Sequence, residues 1–153
     1  MQDTVTEAKA EFTRAKERLA RALTTTPDDR INWSPSPTSR TPVQQVAHAA
    51  MAITGIHGMM LGKEFPFANT AEMDASSLAA EKEYTSREQV LGFLEKNSSE
   101  FLAWLDTLTP EQLASTFEMP FGSFPMTSAI TFPADHTHYA RNMEAPSWCG
   151  HST

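Results

Sequence analysis

Five histidines and one cysteine are the side chains of this chain best suited to bind a metal or a reactive thiol at neutral pH. Two of them, His136 and His138, stand two residues apart in "ADHTHYARNM", next to Asp135. A helix turns about 100° per residue, so these two rings point about 200° apart and cannot chelate one ion in a regular helix. A chelating helical pair needs spacing of four, because those side chains lie side by side. The positions four away from His136 are Phe132 and Ala140, and neither binds metal. His48 and His57 are nine residues apart in "VQQVAHAAMAITGIHGMMLG", about half a turn out of phase. His48 shares a face with Gln44, Met51, Ala52, Gly55 and Met59, read as inward-looking, where an imidazole needs a partner for each ring nitrogen. His57 falls near the surface or under a loop. Cys149 and His151 are borderline-soft donors in an aperiodic tail.

The elements that carry these residues read as helices. Ala8, Phe12, Ala15, Leu19 and Leu23 recur at spacings of three and four, which predicts a helix over 4–24, ended at Pro27. "RAKERLAR" (14–21) is then its solvated face. The Pro/Ser loop "INWSPSPTSR" (31–40) leads into "TPVQ", in which Thr41 caps, Pro42 takes the first helical position and Gln44 closes a capping box. A second helix runs from there to about Leu61. Residues 63–84 show no sustained period and are expected to be a long connection with at most a short helical turn. "TSRE" (85–88) reads as another capping box, opening a helix whose buried stripe is Val90, Leu94, Phe101 and Leu105. "TPEQ" (109–112) starts a short helical turn. "STFEMPFGSFPMTSA" alternates around Phe121-Gly122-Ser123, as a hairpin does. The last helix is expected from about Thr127 through Met143, kinked at Pro133, and residues 144–153 are expected to be irregular.

These elements make a single all-α domain over 1–153, a four-helix bundle with a short β-hairpin before its last helix. A net charge of −7 without a basic patch excludes nucleic acid as the main partner. The apolar stretch 43–62 holds two Gln, two His and internal Gly, too polar for a membrane span. The first residues lack a secretory h-region, and a single cysteine excludes an intrachain disulfide; both fit a cytoplasmic protein. Met51, Met59, Met60 and Met126 are soft side chains that read as core filler, or as the lining of a small apolar-ligand pocket.

Taken together, "NWSPSPTSRTPVQQVAHAAMA", "FEMPFGSFPMTSA" and "FPADHTHY" resemble the DinB/YfiT-like family. The resemblance covers the chain from the first helix to about Met143. It implies an up-down-down-up four-helix bundle, often a homodimer, in which three histidines bind a divalent metal, zinc or nickel. One histidine comes from the second helix and two from an H-x-x-x-H pair on the last. His48 matches the first position and His136 the second; the third falls on Ala140. Asp135, His138, Cys149 or His151 would substitute only if the helix unwinds near Pro133. Some family members resemble metal-dependent transferases or isomerases that use a low-molecular-weight thiol. The resemblance therefore implies a metal-dependent thiol transferase or hydrolase-like protein with His48 and His136 as ligands. The alternative is a non-catalytic bundle that lost its third ligand and serves as a binding or dimerisation module. No substrate and no general base follow from the sequence.

Overall fold

A computed structural model describes residues 2–37, 39–63, 69–119 and 122–137. In chain order these form α1 (Gln2–Thr24), α2 (Pro42–Met60), α3 (Thr70–Glu81), α4 (Arg87–Leu105), α5 (Pro110–Leu113), β1 (Thr116–Met119), β2 (Gly122–Pro125) and α6 (Met126–Ala129), followed by a helical stretch over 132–137. The chain is a mostly helical bundle with one small two-stranded sheet. Among the described residues no helix is long and apolar enough to cross a membrane.

The α1 stripe is buried as its spacing predicts, from Ala8 through Phe12, Ala15 and Leu19 to Leu23. Phe12 meets Phe101 of α4 edge to face at 5.1 Å, the arrangement that ring quadrupoles favour. Arg87, at the start of α4, reaches back to the end of α1. Its Nη2 donates to the Thr26 carbonyl at 2.7 Å and its Nε to the Leu23 carbonyl at 3.3 Å. The Leu23 carbonyl also accepts from the Thr26 amide at 3.1 Å, and the arginine joins α4 to this C-terminal end of α1. α2 and α4 share a polar tie, the buried Asn97 amide donating to the Ala50 carbonyl at 2.8 Å.

The Thr41/Gln44 capping box opens α2 with both of its bonds formed. Just past the end of α2, Gly62, with a φ of +87°, supplies the left-handed residue of a Schellman turn. There the Lys63 and Gly62 amides donate to the Gly58 and Met59 carbonyls, both at 3.0 Å. The α5 turn is also boxed, by Thr109 and Gln112.

Several expectations are corrected. The stretch read as a connection contains α3, twelve residues long and capped by Asn69, which accepts from the Glu72 amide. Its inward stripe is Met73, Ser77, Ala80 and Glu81. That spacing of four, three and one is helical, but three of the four residues are small or polar, so no hydrophobic period is visible. The cap of α4 is Ser86 rather than Thr85; Ser86 accepts from the Gln89 amide, and the Gln89 side chain bonds the Thr85 amide. The hairpin pairs Met119 with Gly122 and Glu118 with Ser123, so Gly122 and Ser123 belong to the second strand and not to the turn. The last helix is not one kinked rod. α6 stops at Ala129, residues 130–131 form a turn, and the next helical stretch begins at 132. Pro133 therefore sits in a first turn, where its missing N–H costs nothing. Residues beyond 137, including the expected tail at 144–153, lie outside the described residues.

Candidate functional site

His48 sits one residue past the α2 core stripe. That stripe includes Val43, Val46, Ala47, Ala50 and Ile53, and the buried surface extends on its far side to Ala49. One residue is about 100° of rotation, which moves His48 off the inward face to the boundary. Its side chain keeps 27% exposure, so the expectation of an inward-looking face is corrected. Met51, Ala52 and Met59 are likewise half-buried and Gly55 is exposed.

Three other elements converge on this boundary. Arg40 precedes the Thr41 cap, Glu81 is the last residue of α3, and His136 lies in the stretch 132–137. Glu81 is fully buried. The Arg40 Nε donates to Glu81 Oε1, and its Nη2 approaches Oε2 at 3.3 Å. The same Oε2 lies 3.0 Å from His48 Nδ1. A buried carboxylate is tolerated only when its charge and its lone pairs are met, and these two partners meet them.

The His48 and His136 rings face one another with centroids 5.5 Å apart and planes tilted by 40°. His136 Nδ1 is buried and has no hydrogen-bond partner among the described residues. Burial, followed by the proximity of His48 and Arg40, holds the His136 imidazole below the usual histidine range. It is therefore neutral at pH 7, the form that offers a lone pair to a metal. Two imidazoles sharing one zinc, with Zn–N at about 2.0–2.1 Å and a tetrahedral angle, keep their centroids about 5 Å apart. The observed spacing fits a shared ion as two of its ligands. Among the described residues no group of three or more His, Cys, Asp or Glu side chains is placed to hold a metal.

Of the other residues considered from sequence, Asp135 is solvent-exposed, and its amide is used in a bond to the Thr131 carbonyl at 3.0 Å. His138, Ala140, Cys149 and His151 lie outside the described residues. His57 occupies a different environment, packed on Trp104 at 4.8 Å and Phe101 at 5.6 Å. Met60 and Met126 belong to the core cluster, which suits their reading as filler.

Sequence reasoning missed Arg40 and Glu81. Only Asp135 was expected to lie beside a site histidine, whereas Glu81 holds His48 from 33 residues away. Glu81 ends a helix with no apolar period, and Arg40 ends a loop. Neither position carries a signal in the sequence, because the side of α3 that is buried shows no apolar period.

The molecule is thus a helical bundle in which separate segments bring two imidazoles and a buried carboxylate together. The DinB superfamily model matches residues 11–140, and the chain belongs to that superfamily. Among solved structures, YfiT from Bacillus subtilis, described as a probable metal-dependent hydrolase with an unusual four-helix bundle topology, superposes with a TM-score of 0.68. It is 18% identical over 92% of this chain and 83% of its own. DfsB, a sibling lethal factor precursor, gives a TM-score of 0.70 at 19% identity over 90% of each chain. A mycothiol-dependent maleylpyruvate isomerase gives 0.66 at 11% identity; the match covers 87% of this chain and 57% of the isomerase. These likenesses establish a shared fold. No curated protein matches the chain.

Proposed function

We propose that this chain binds a divalent metal, zinc or nickel, through His48 and His136, and uses it for hydrolase-like or thiol-transfer chemistry on a small substrate. The observation that carries the reading is the meeting of two imidazoles from different helices at 5.5 Å, one of them with a buried, unpartnered nitrogen. A divalent ion held there supplies a Lewis acid that lowers the pKa of a bound water or thiol. The chain's own part is to keep the His136 ring neutral by burial, to fix the two rings on separate helices, and to wall one side of the site with the Glu81–Arg40 pair. Two protein ligands leave positions for water, a cosubstrate or a group from a second copy of the chain. A low-molecular-weight cytoplasmic thiol is the cosubstrate class we favour, by analogy with the mycothiol-dependent isomerase that shares the fold.

The test is metal content after purification and after equilibrium dialysis against zinc or nickel. The wild type takes up about one equivalent, and His48→Ala and His136→Ala each lose most of it. No uptake by the wild type, or uptake by both variants that matches the wild type, ends the proposal.

A second reading is a non-catalytic bundle, and the Arg40–Glu81–His48 contacts favour it. They tie the loop before α2 to the end of α3 without any ligand. On this reading His48→Ala changes the melting temperature and no binding property.

A further inference from the structure

We propose that Glu81 and Arg40 are positioning residues that select which nitrogen of His48 is reactive. The juxtaposition is a fully buried carboxylate with Arg40 on one side and His48 Nδ1 on the other. A neutral imidazole carries one N–H and one lone pair, and its neighbours decide which nitrogen holds which. Arg40 has only donors and cannot lose its proton, so it holds Glu81 as an acceptor. Oε2 accepts at 3.0 Å from Nδ1, which therefore bears the hydrogen. The lone pair is left on Nε2, the atom that then takes a metal or a proton. This carboxylate-to-histidine contact is the kind that orients metal-binding imidazoles in general.

The burial of Glu81 adds a second argument. α3 exposes most of its surface, and Glu81 is its single fully buried side chain among the described residues. An apolar residue there would anchor the helix at less desolvation cost. The ionised group is worth its cost where the orientation of His48 matters. The end of α3 is thereby coupled to the state of the His48 ring, through one pair of oxygens.

The selection of the tautomer stands on the contacts alone; its consequence for metal binding rests on the function proposed above. The experiment separates the two. Long-range proton–nitrogen correlation spectra of the metal-free, ring-labelled protein, at a pH where His48 is neutral, report the tautomer directly. The wild type shows the hydrogen on Nδ1 of His48, a result that needs no variant to fold. Hydrogen on Nε2, or a mixture, overturns the proposal. Glu81→Gln supplies the second arm. Arg40, a pure donor, draws the amide oxygen to itself and turns the amide NH2 toward His48, so the ring moves its hydrogen to Nε2. An unchanged Nδ1 tautomer in Glu81→Gln overturns the role of Glu81. Zinc is the probe for the consequence: Glu81→Gln binds it about 10- to 100-fold more weakly than the wild type. A wild type with the Nδ1 tautomer and no zinc uptake supports the positioning role and defeats the proposed function. Equal zinc affinity in wild type and variant defeats the link between the two.

Discussion

His48 and His57 ride on the same helix nine residues apart, and their surroundings have little in common. His48 bonds the Glu81 carboxylate of α3, which a loop arginine also holds, and its ring packs beside that of a second histidine. His57 is wedged against two aromatic rings of α4, with its Nε2 buried and without a hydrogen-bond partner among the described residues. Burial holds the His57 imidazole below its ordinary value, Glu100 opposes that shift, and Lys63 adds to it. The first ring has a carboxylate on Nδ1 and a second imidazole beside it; the second ring is packed as an aromatic. A histidine's role is thus set by what other elements bring to it, and a position along α2 says little about that.

Substitutions that separate the two ends test this contrast. Phe101 is fully buried and touches both Phe12 and His57. Phe101→Ala removes that packing and costs about 3–5 kcal/mol in denaturant unfolding. The His48 tautomer in the surviving folded fraction stays as in the wild type. Glu81→Ala has the opposite profile. It leaves Arg40 and His48 without their shared acceptor and costs about 2 kcal/mol, below the usual figure for a buried pair because Arg40 is partly solvated. Its larger effect is on His48, seen as a mixed tautomer. Should Glu81→Ala cost more stability than Phe101→Ala and spare the tautomer, the contrast is reversed and Glu81 is a structural anchor only.

Thr41→Ala removes a formed capping box at the entry to α2 and lowers stability by about 1 kcal/mol, measured by thermal or urea unfolding. It shifts the helix start beside Arg40 and touches nothing near His57.

The smallest effect is a pH slope. His57 binds its proton less readily in the folded than in the unfolded chain, so the unfolded state holds more protons in that window. Stability is full above the unfolded value of about 6.5 and falls as pH drops below it toward the lowered folded value. His136 is shifted in the same direction and adds a slope of the same sign. His57→Phe isolates one contribution: urea midpoints at pH 7.5 and 5.5 differ less in the variant than in the wild type. An unchanged difference shows that His57 is not desolvated as described.

Much of the bundle could be read from the chain. The α1 stripe, the Thr41 box and the Val90-to-Leu105 stripe are local patterns that tertiary packing reinforced. α3 was hidden because its inward residues, Ser77, Ala80 and Glu81 among them, give no apolar signal. Its anchor is one ion pair formed 41 residues away in sequence. The break at 130–131 was hidden for another reason. Pro133 fits equally a kink inside a helix or the first turn of a new one, and only the surrounding packing decides. Within the site, helical geometry separated His136 from His138 and His48 from His57. It did not bring His48 to His136, whose juxtaposition came from the family resemblance. Glu81 and Arg40 had no pattern to give them away, since contacts between distant polar residues leave no period in a single sequence.

Anomalous diffraction from crystals grown with zinc decides whether His48 and His136 hold one divalent ion, as proposed above. Maps calculated on either side of the zinc edge are predicted to show a peak between the two rings, bonded to a nitrogen of each. No such peak at saturating zinc, or a peak only elsewhere on the chain, means that the two rings do not share an ion.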